Sequence, residues 1–145
     1  EKSKRIVIKC QIFKEEGMTH YSDLIIYAYH TDNKGYYSKK GFETGVQKKH
    51  GYLFGYCKTD AEGRYEIITI RPGRYPVNKF PAHIHIATKE PDGNMQYLND
   101  FVFSDDSLVT KEYLSQLIYK GDDGVIILKE NGSGIQEGNR ITILK

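Results

Sequence analysis

The sequence has no tryptophan and only two cysteines, Cys10 and Cys57, in 145 residues. Two cysteines cannot staple a chain of this length, so a disulfide scaffold is excluded and the core must be hydrophobic. The length suffices for that core and reads as one domain over residues 1–145. Charge of one sign is also missing: Lys+Arg 21 against Asp+Glu 19 gives +2, with no run of like charge. That argues against nucleic acid or an anionic membrane as the main partner. No apolar stretch approaches the ~18–20 residues needed to span a bilayer. No charged-then-apolar leader stands at Glu1, which leaves the compartment open. There is no internal repeat, low-complexity tract or long linker, and no readable signature of oligomeric state.

What is abundant is tyrosine, 12 residues, beside 6 phenylalanines. Tyrosine favours strands and half-buried surfaces, and that accounts for the excess without any function. It is also the side chain that offers phenolate oxygen to hard metal ions. Cys10 and Cys57 sit among apolar and aromatic neighbours and are expected to be buried thiols, and their spacing alone does not decide whether they are bridged.

Alternating or β-branched runs recur between turn residues. Residues 5–13 alternate, with Ile6, Ile8, Cys10 and Ile12 on one face. Further runs cover 23–30, 52–58, 64–70, 82–88, 97–103, 124–128 and 140–144. The TDAEG segment at 59–63 reads as a hairpin connection in which Gly63 takes positive φ. Leu108, Leu114, Leu117 and Ile118 fall close to helical spacing. Thr110 can cap that helix and Gly121 can end it, predicting a short helix over 110–119. The expected fold is all-β, a sandwich of mostly antiparallel strands with one short helix. Residues 39–51 form the expected long loop.

Chemistry concentrates in GRYEIITIRPGRYPVNKFPAHIHIA, residues 63–87. Residues two apart on a strand share a face, so His83 and His85 can present both imidazoles to one point while Ala82, Ile84 and Ile86 pack opposite. His-x-His alone also suits an ordinary polar strand face. His83, His85 and Glu90 match the first motif of a cupin. That fold needs a later histidine, and the five histidines are 20, 30, 50, 83 and 85. The remaining donors are tyrosines. Tyr75 precedes Pro76, which holds it extended, and Tyr37 follows the turn in HTDNKGYY. Either can be a core-edge aromatic. Two phenolates with two neutral imidazoles would favour Fe(III) over Zn(II), because the phenolates offset most of the trivalent charge. Tyr36 is expected to pack in the core, and His30 with Asp32 to form a turn-capping pattern.

Through TDAEGRYEIITIRPGRYP and FPAHIH, and more weakly through IIYAYHTDNKGYY and YLNDFVFSDD, the chain resembles the intradiol ring-cleavage dioxygenases of the catechol and protocatechuate type. The resemblance spans roughly residues 5–105. It implies a β-sandwich with one ferric iron per chain, ligated by Tyr37, Tyr75, His83, His85 and solvent. It also implies a small aromatic diol and O2 as substrates, ring opening between the two hydroxylated carbons, and release of Tyr75 as ligand and base when the diol binds.

Three departures from the family pattern accompany the match. Phe80 stands where an arginine that stabilises substrate charge is usual. Asp100 stands where a glutamine is expected, and the pair is assigned to the substrate pocket. Seven residues separate Tyr75 from His83, a short connection that should open the pocket wall. Arg71, Arg74 and Lys79 flank the site in sequence and are candidates to replace the missing cation. The alternative reading is a non-catalytic iron-binding sandwich or ligand-binding module that has lost the substrate-side arginine.

Overall fold

The computed structural model describes residues 4–36, 53–76 and 79–144. Ten strands and a short helix follow in the order β1 (Arg5–Phe13), β2 (Ile25–His30), β3 (Phe54–Lys58), β4 (Arg64–Ile70), β5 (His83–Lys89), β6 (Met95–Tyr97), β7 (Phe101–Phe103), α1 (Lys111–Ser115), β8 (Val125–Ile126), β9 (Lys129–Glu130) and β10 (Gln136–Ile143). One sheet has the order β4-β1-β10-β9; the other has β3-β2-β5-β7-β8, with β6 paired to β5. Among the described strand pairs only β1–β10 and β7–β8 are parallel, so the all-β sandwich expected from the sequence is the fold observed. Among the described residues no helix is long and apolar enough to cross a membrane.

The alternation in β1 does what its pattern predicts. Ile6, Ile8, Cys10 and Ile12 are buried and meet Ile26, Ile84, Ile86, Phe101 and Phe103 of the second sheet in one core cluster. Each fully buried isoleucine contributes ~1.5–3 kcal/mol through removal of apolar surface from water. The same periodicity sends alternate residues of the second sheet outward, and there the site forms.

Several sequence expectations are corrected. TDAEG is not a hairpin: β3 pairs with β2 in one sheet and β4 with β1 in the other, so residues 59–63 carry the chain between sheets. Gly63 does take positive φ, +74°. Its peptide packs on β1, where Ile12 donates to the Gly63 carbonyl at 2.9 Å. The buried Thr59 hydroxyl ties this crossing to Tyr21 and Leu24. The helix stops at Ser115, capped at its start by Thr110 as expected but ended by Gln116. The chain beyond is drawn into extended pairing, with Leu98 bridging Lys120 and Asn99 accepting from Tyr119 N, and that competes with further helix. Cys57 lies exposed on the edge strand β3, whereas Cys10 is buried, and both thiols are free. Tyr36 is 59% exposed instead of packed in the core.

The expected strand over 97–103 divides into β6 and β7 because of a bulge. Between the pairs Ala87↔Tyr97 and Ile84↔Phe101, β5 advances three residues and its partner four. The extra residue locally bends the strand and re-aims its side chains. It falls opposite His85 and Ile86, while His83 stays in register with Val102.

Candidate metal centre and cleft

His83 and His85 project from β5 on the face opposite the buried Ile84 and Ile86. Their Nε2 atoms lie 3.0 Å apart. Tyr75 Oη completes a triangle, 3.2 Å from His83 Nε2 and 3.3 Å from His85 Nε2. The other ring nitrogens are engaged elsewhere: His83 Nδ1 donates to the Pro81 carbonyl at 2.8 Å, and His85 Nδ1 to Asp100 Oδ1 at 3.1 Å. Those bonds select the tautomer that leaves both Nε2 lone pairs facing inward. Two imidazole lone pairs this close repel unless a cation or proton lies between them. Edges of 3.0–3.3 Å also suit donors sharing one ion at bond lengths of ~2 Å. Burial, reinforced by His85, holds His83 below the ordinary imidazole pKa and so keeps its lone pair free at neutral pH.

His83, His85 and Asp100 also form a group whose donor atoms fall within 4.8 Å of one another. Asp100, however, faces the outer nitrogen of His85 and not the Nε2 point, so it is better suited to orient a ligand than to be one. The bulge between β6 and β7 puts it there. The inward donor set is thus one phenolic oxygen and two neutral imidazoles, a hard and borderline combination that fits ferric iron.

Tyr75 reaches this point because two turns pack tightly together. Asp32 caps the turn over 32–36 by accepting from Lys34 N and Tyr36 N, as its sequence pattern predicts. Gly73 N donates to the Asp32 carbonyl at 2.8 Å, and Thr31 Oγ1 donates to the Gly73 carbonyl at 3.0 Å. Gly35, at φ +88°, lies so close that an added Cβ would fall 1.7 Å from the Arg74 carbonyl oxygen. His30 takes no part in this cap or in the triangle. It faces the interior, where its Nε2 pairs with Thr69 Oγ1 at 2.8 Å across the two sheets.

Asp106 ties Tyr75 to the histidine strand. Its carboxylate accepts from Arg74 Nε at 3.1 Å, from Ala82 N at 2.9 Å and from Leu108 N at 2.9 Å. One carboxylate therefore grips the residue before Tyr75 and the residue before His83. Burial alone would raise the Asp106 pKa, yet these donors hold it below the ordinary carboxylate value.

A family model described as Dioxygenase matches residues 1–128. The protocatechuate 3,4-dioxygenase beta chain of Burkholderia cepacia is 32% identical over 89 residues, 57% of this chain and 37% of that one. The chain belongs to the intradiol ring-cleavage dioxygenase family. It spans little more than a third of that curated relative's length. Among solved structures, the dioxygenase domain of a Streptomyces dioxygenase–carbohydrate-binding fusion superposes with TM-score 0.73 at 18% identity, covering 99% of this chain and 81% of that one. The 3-chlorocatechol 1,2-dioxygenase of Rhodococcus opacus gives 0.72 at 16% identity, with coverage of 99% and 60%. An intradiol dioxygenase of Tetranychus urticae gives 0.68 at 16%, with coverage of 97% and 80%. At these identities the structural likeness speaks for the fold.

Within this intradiol dioxygenase fold, the structure brings Tyr75, His83 and His85 together and sets Asp100 behind His85. Tyr37 lies outside the described residues, as does the expected loop over 39–51. A cleft of about 570 Å³ opens beside the triangle, with Phe80 and Asp100 in its wall. The flanking arginines do not supply the missing cation. Arg71 pairs with Asp105 and covers the Phe103 ring, and Arg74 pairs with Asp106. Sequence patterning assigns no role to Asp106 or to the wall residues Tyr29, Tyr97, Tyr113 and Tyr119, because their roles depend on contacts between distant segments. The signal in reach was SDDS at 104–107, which follows the YLNDFVF run.

Proposed function

We propose that the chain is a non-haem ferric intradiol dioxygenase that opens a catechol-type aromatic with O2 between its two hydroxylated carbons, giving a muconate-type diacid. The observation that carries this reading is the convergence of Tyr75 Oη, His83 Nε2 and His85 Nε2 on one point with both Nδ1 positions already engaged. Tyr37 is proposed as the fourth protein ligand. The turn ending at Tyr36 packs against Gly73, and this supports the assignment.

Ferric iron, when bound, supplies the Lewis acidity that draws protons from a diol and the redox chemistry that O2 requires. The chain's own groups do the rest. His83 and His85 hold neutral nitrogen donors on a rigid strand, so little freedom is lost on binding. Tyr75 sits on a turn segment, not in the sheet, and can move away from the histidines as a diol arrives. Its phenolate oxygen then takes up one of the diol's protons, which makes Tyr75 both ligand and base. Asp100 keeps His85 Nδ1 protonated and the ring in position throughout. The aromatic wall excludes water from one side of the bound ring.

Absence of any Lys or Arg among the described wall residues favours a second reading, a sandwich that binds iron without turnover. Ferric loading separates the readings. The purified protein should take up one iron per chain and show a visible phenolate-to-iron charge-transfer band. Catechol added under nitrogen should shift that band, and oxygen should bleach it and release a ring-opened diacid. A protein that remains colourless after ferric loading has no such site. A coloured protein whose band ignores catechols keeps the metal and loses the dioxygenase.

A further inference from the structure

The cleft is much larger than a single ring requires. A cavity of ~150 Å³ is enough to hold benzene, whereas this one measures about 570 Å³. Its outer wall is apolar and aromatic. Phe80 is 52% exposed, Ile118 82% and Tyr119 49%, and the Tyr119 ring lies 5.6 Å from that of Tyr97. Deeper in, the Tyr29 ring lies 4.7 Å from that of His85 and tilted against it, and Tyr113 completes the wall. Burial, with a smaller contribution from Asp100, pushes Tyr113 up to about 12, so it faces the cleft as a neutral phenol.

Charge in the wall points the same way. The described wall residues include no Lys or Arg, and their one carboxyl is Asp100, set against His85 Nδ1. Arg71 and Arg74, the nearest arginines in sequence, are committed to Asp105 and Asp106. A carboxylate on an incoming diol would find no counter-ion among the described wall residues, and any hydration it lost there would go unreplaced. A second apolar group would find a ready surface in Phe80, Ile118 and Tyr119.

We propose that the site takes uncharged diols bearing a second apolar group, such as aryl- or alkyl-substituted catechols, and discriminates against carboxylated ones, with Phe80 and Ile118 as the specificity-determining residues. This rests on the dioxygenase reading above and narrows its substrate class.

The test is calorimetric titration of the full chain loaded with Ga(III), a redox-inert stand-in for Fe(III), so that affinity is read without turnover. The probes are catechol, 3,4-dihydroxybenzoate and 4-phenylcatechol. The phenyl compound should bind at least about tenfold more tightly than catechol, and the carboxylated one at least about tenfold more weakly. Phe80→Arg should narrow or reverse the gap between those two probes. Ile118→Ser, at an exposed position, should weaken only the phenyl compound. Equal or tighter binding of 3,4-dihydroxybenzoate than of catechol overturns the inference and leaves the dioxygenase reading intact. So does a phenyl compound that binds no better than catechol, or an unchanged preference in both variants. Failure of all three diols to bind overturns the dioxygenase reading and this inference with it.

Discussion

Replacing Asp106 by alanine should separate the two segments that carry Tyr75 and His83. The carboxylate is 8% exposed and accepts from Ala82 N, Leu108 N and the Arg74 guanidinium. Hydrogen bonds to a charged acceptor contribute ~1.5–3 kcal/mol, and a buried donor left unsatisfied costs ~1–3 kcal/mol. The Ala82 N–H is buried and should cost near the upper end, while Leu108 N is less enclosed. The Arg74 side chain is 45% exposed, so water replaces much of its partner and its share falls below ~1 kcal/mol. The expected loss is roughly 3 kcal/mol in all. For a chain of this size each kcal/mol lowers Tm by ~2–4 °C, so Tm should fall by roughly 6–12 °C. Because Tyr75 then sits less firmly against the histidines, ferric affinity should fall together with stability. Thermal denaturation by circular dichroism and iron competition with a chelator read the two effects. A Tm within ~2 °C of the parent, with unchanged iron affinity, would refute the claim that Asp106 holds the site together. The depressed Asp106 pKa also sets the pH dependence of this contribution. The stabilisation is present above the unfolded value of 3.8 and is lost as pH falls through the lower folded value. Asp106→Ala should therefore abolish part of the stability change below about pH 4.

Asp100→Asn should weaken ferric affinity by ~10–100-fold with little change in Tm, since it alters the partner of His85 Nδ1 without opening the core; chelator competition measures it. Gly35→Ala should destabilise by more than ~2 kcal/mol, because positive φ and the Arg74 carbonyl both oppose a Cβ, and urea denaturation checks it. Burial holds His30 below 6.5, so its contribution is full above that pH and is lost as pH falls through the depressed folded value. His30→Gln should therefore flatten the acid limb of the stability–pH curve, by up to ~1.4 kcal/mol per pH unit. Tyr75→Phe should weaken and shift the visible band of the ferric protein without removing the histidine site, as absorption spectra would show.

The site owes its geometry to two irregularities of an otherwise regular sandwich. The bulge between β6 and β7 turns Asp100 toward His85. The tight approach of Gly35 to Arg74 carries Tyr75 over the outer face of the second sheet. Neither alters the core, and each is held by backbone groups whose partners are distant in sequence. Function here is built on departures from the periodic pattern, where local preference and tertiary packing need not agree.

What the sequence determined by itself was whatever depends on short-range periodicity and donor chemistry. The period of two in β1 set its buried face, and the same period brought His83 and His85 to one side of β5. Pro76 keeps Tyr75 out of helix, and the lack of any histidine beyond 85 removed the cupin alternative. Only the tertiary structure decided the rest. The TDAEG turn has hairpin chemistry but crosses between sheets, because β4 pairs along the length of β1 and there buries Tyr65 and Ile67 against the core, while β3 lies at the edge of the other sheet. Leu117 and Ile118 keep helical spacing yet lie outside the helix, because Leu98 and Asn99 capture Tyr119 and Lys120. Arg71 and Arg74 flank the site in sequence but are bound to Asp105 and Asp106, and this leaves the cleft without a cation among its described residues. Such pairings join residues more than thirty positions apart, and no local pattern encodes which distant carboxylate an arginine will meet.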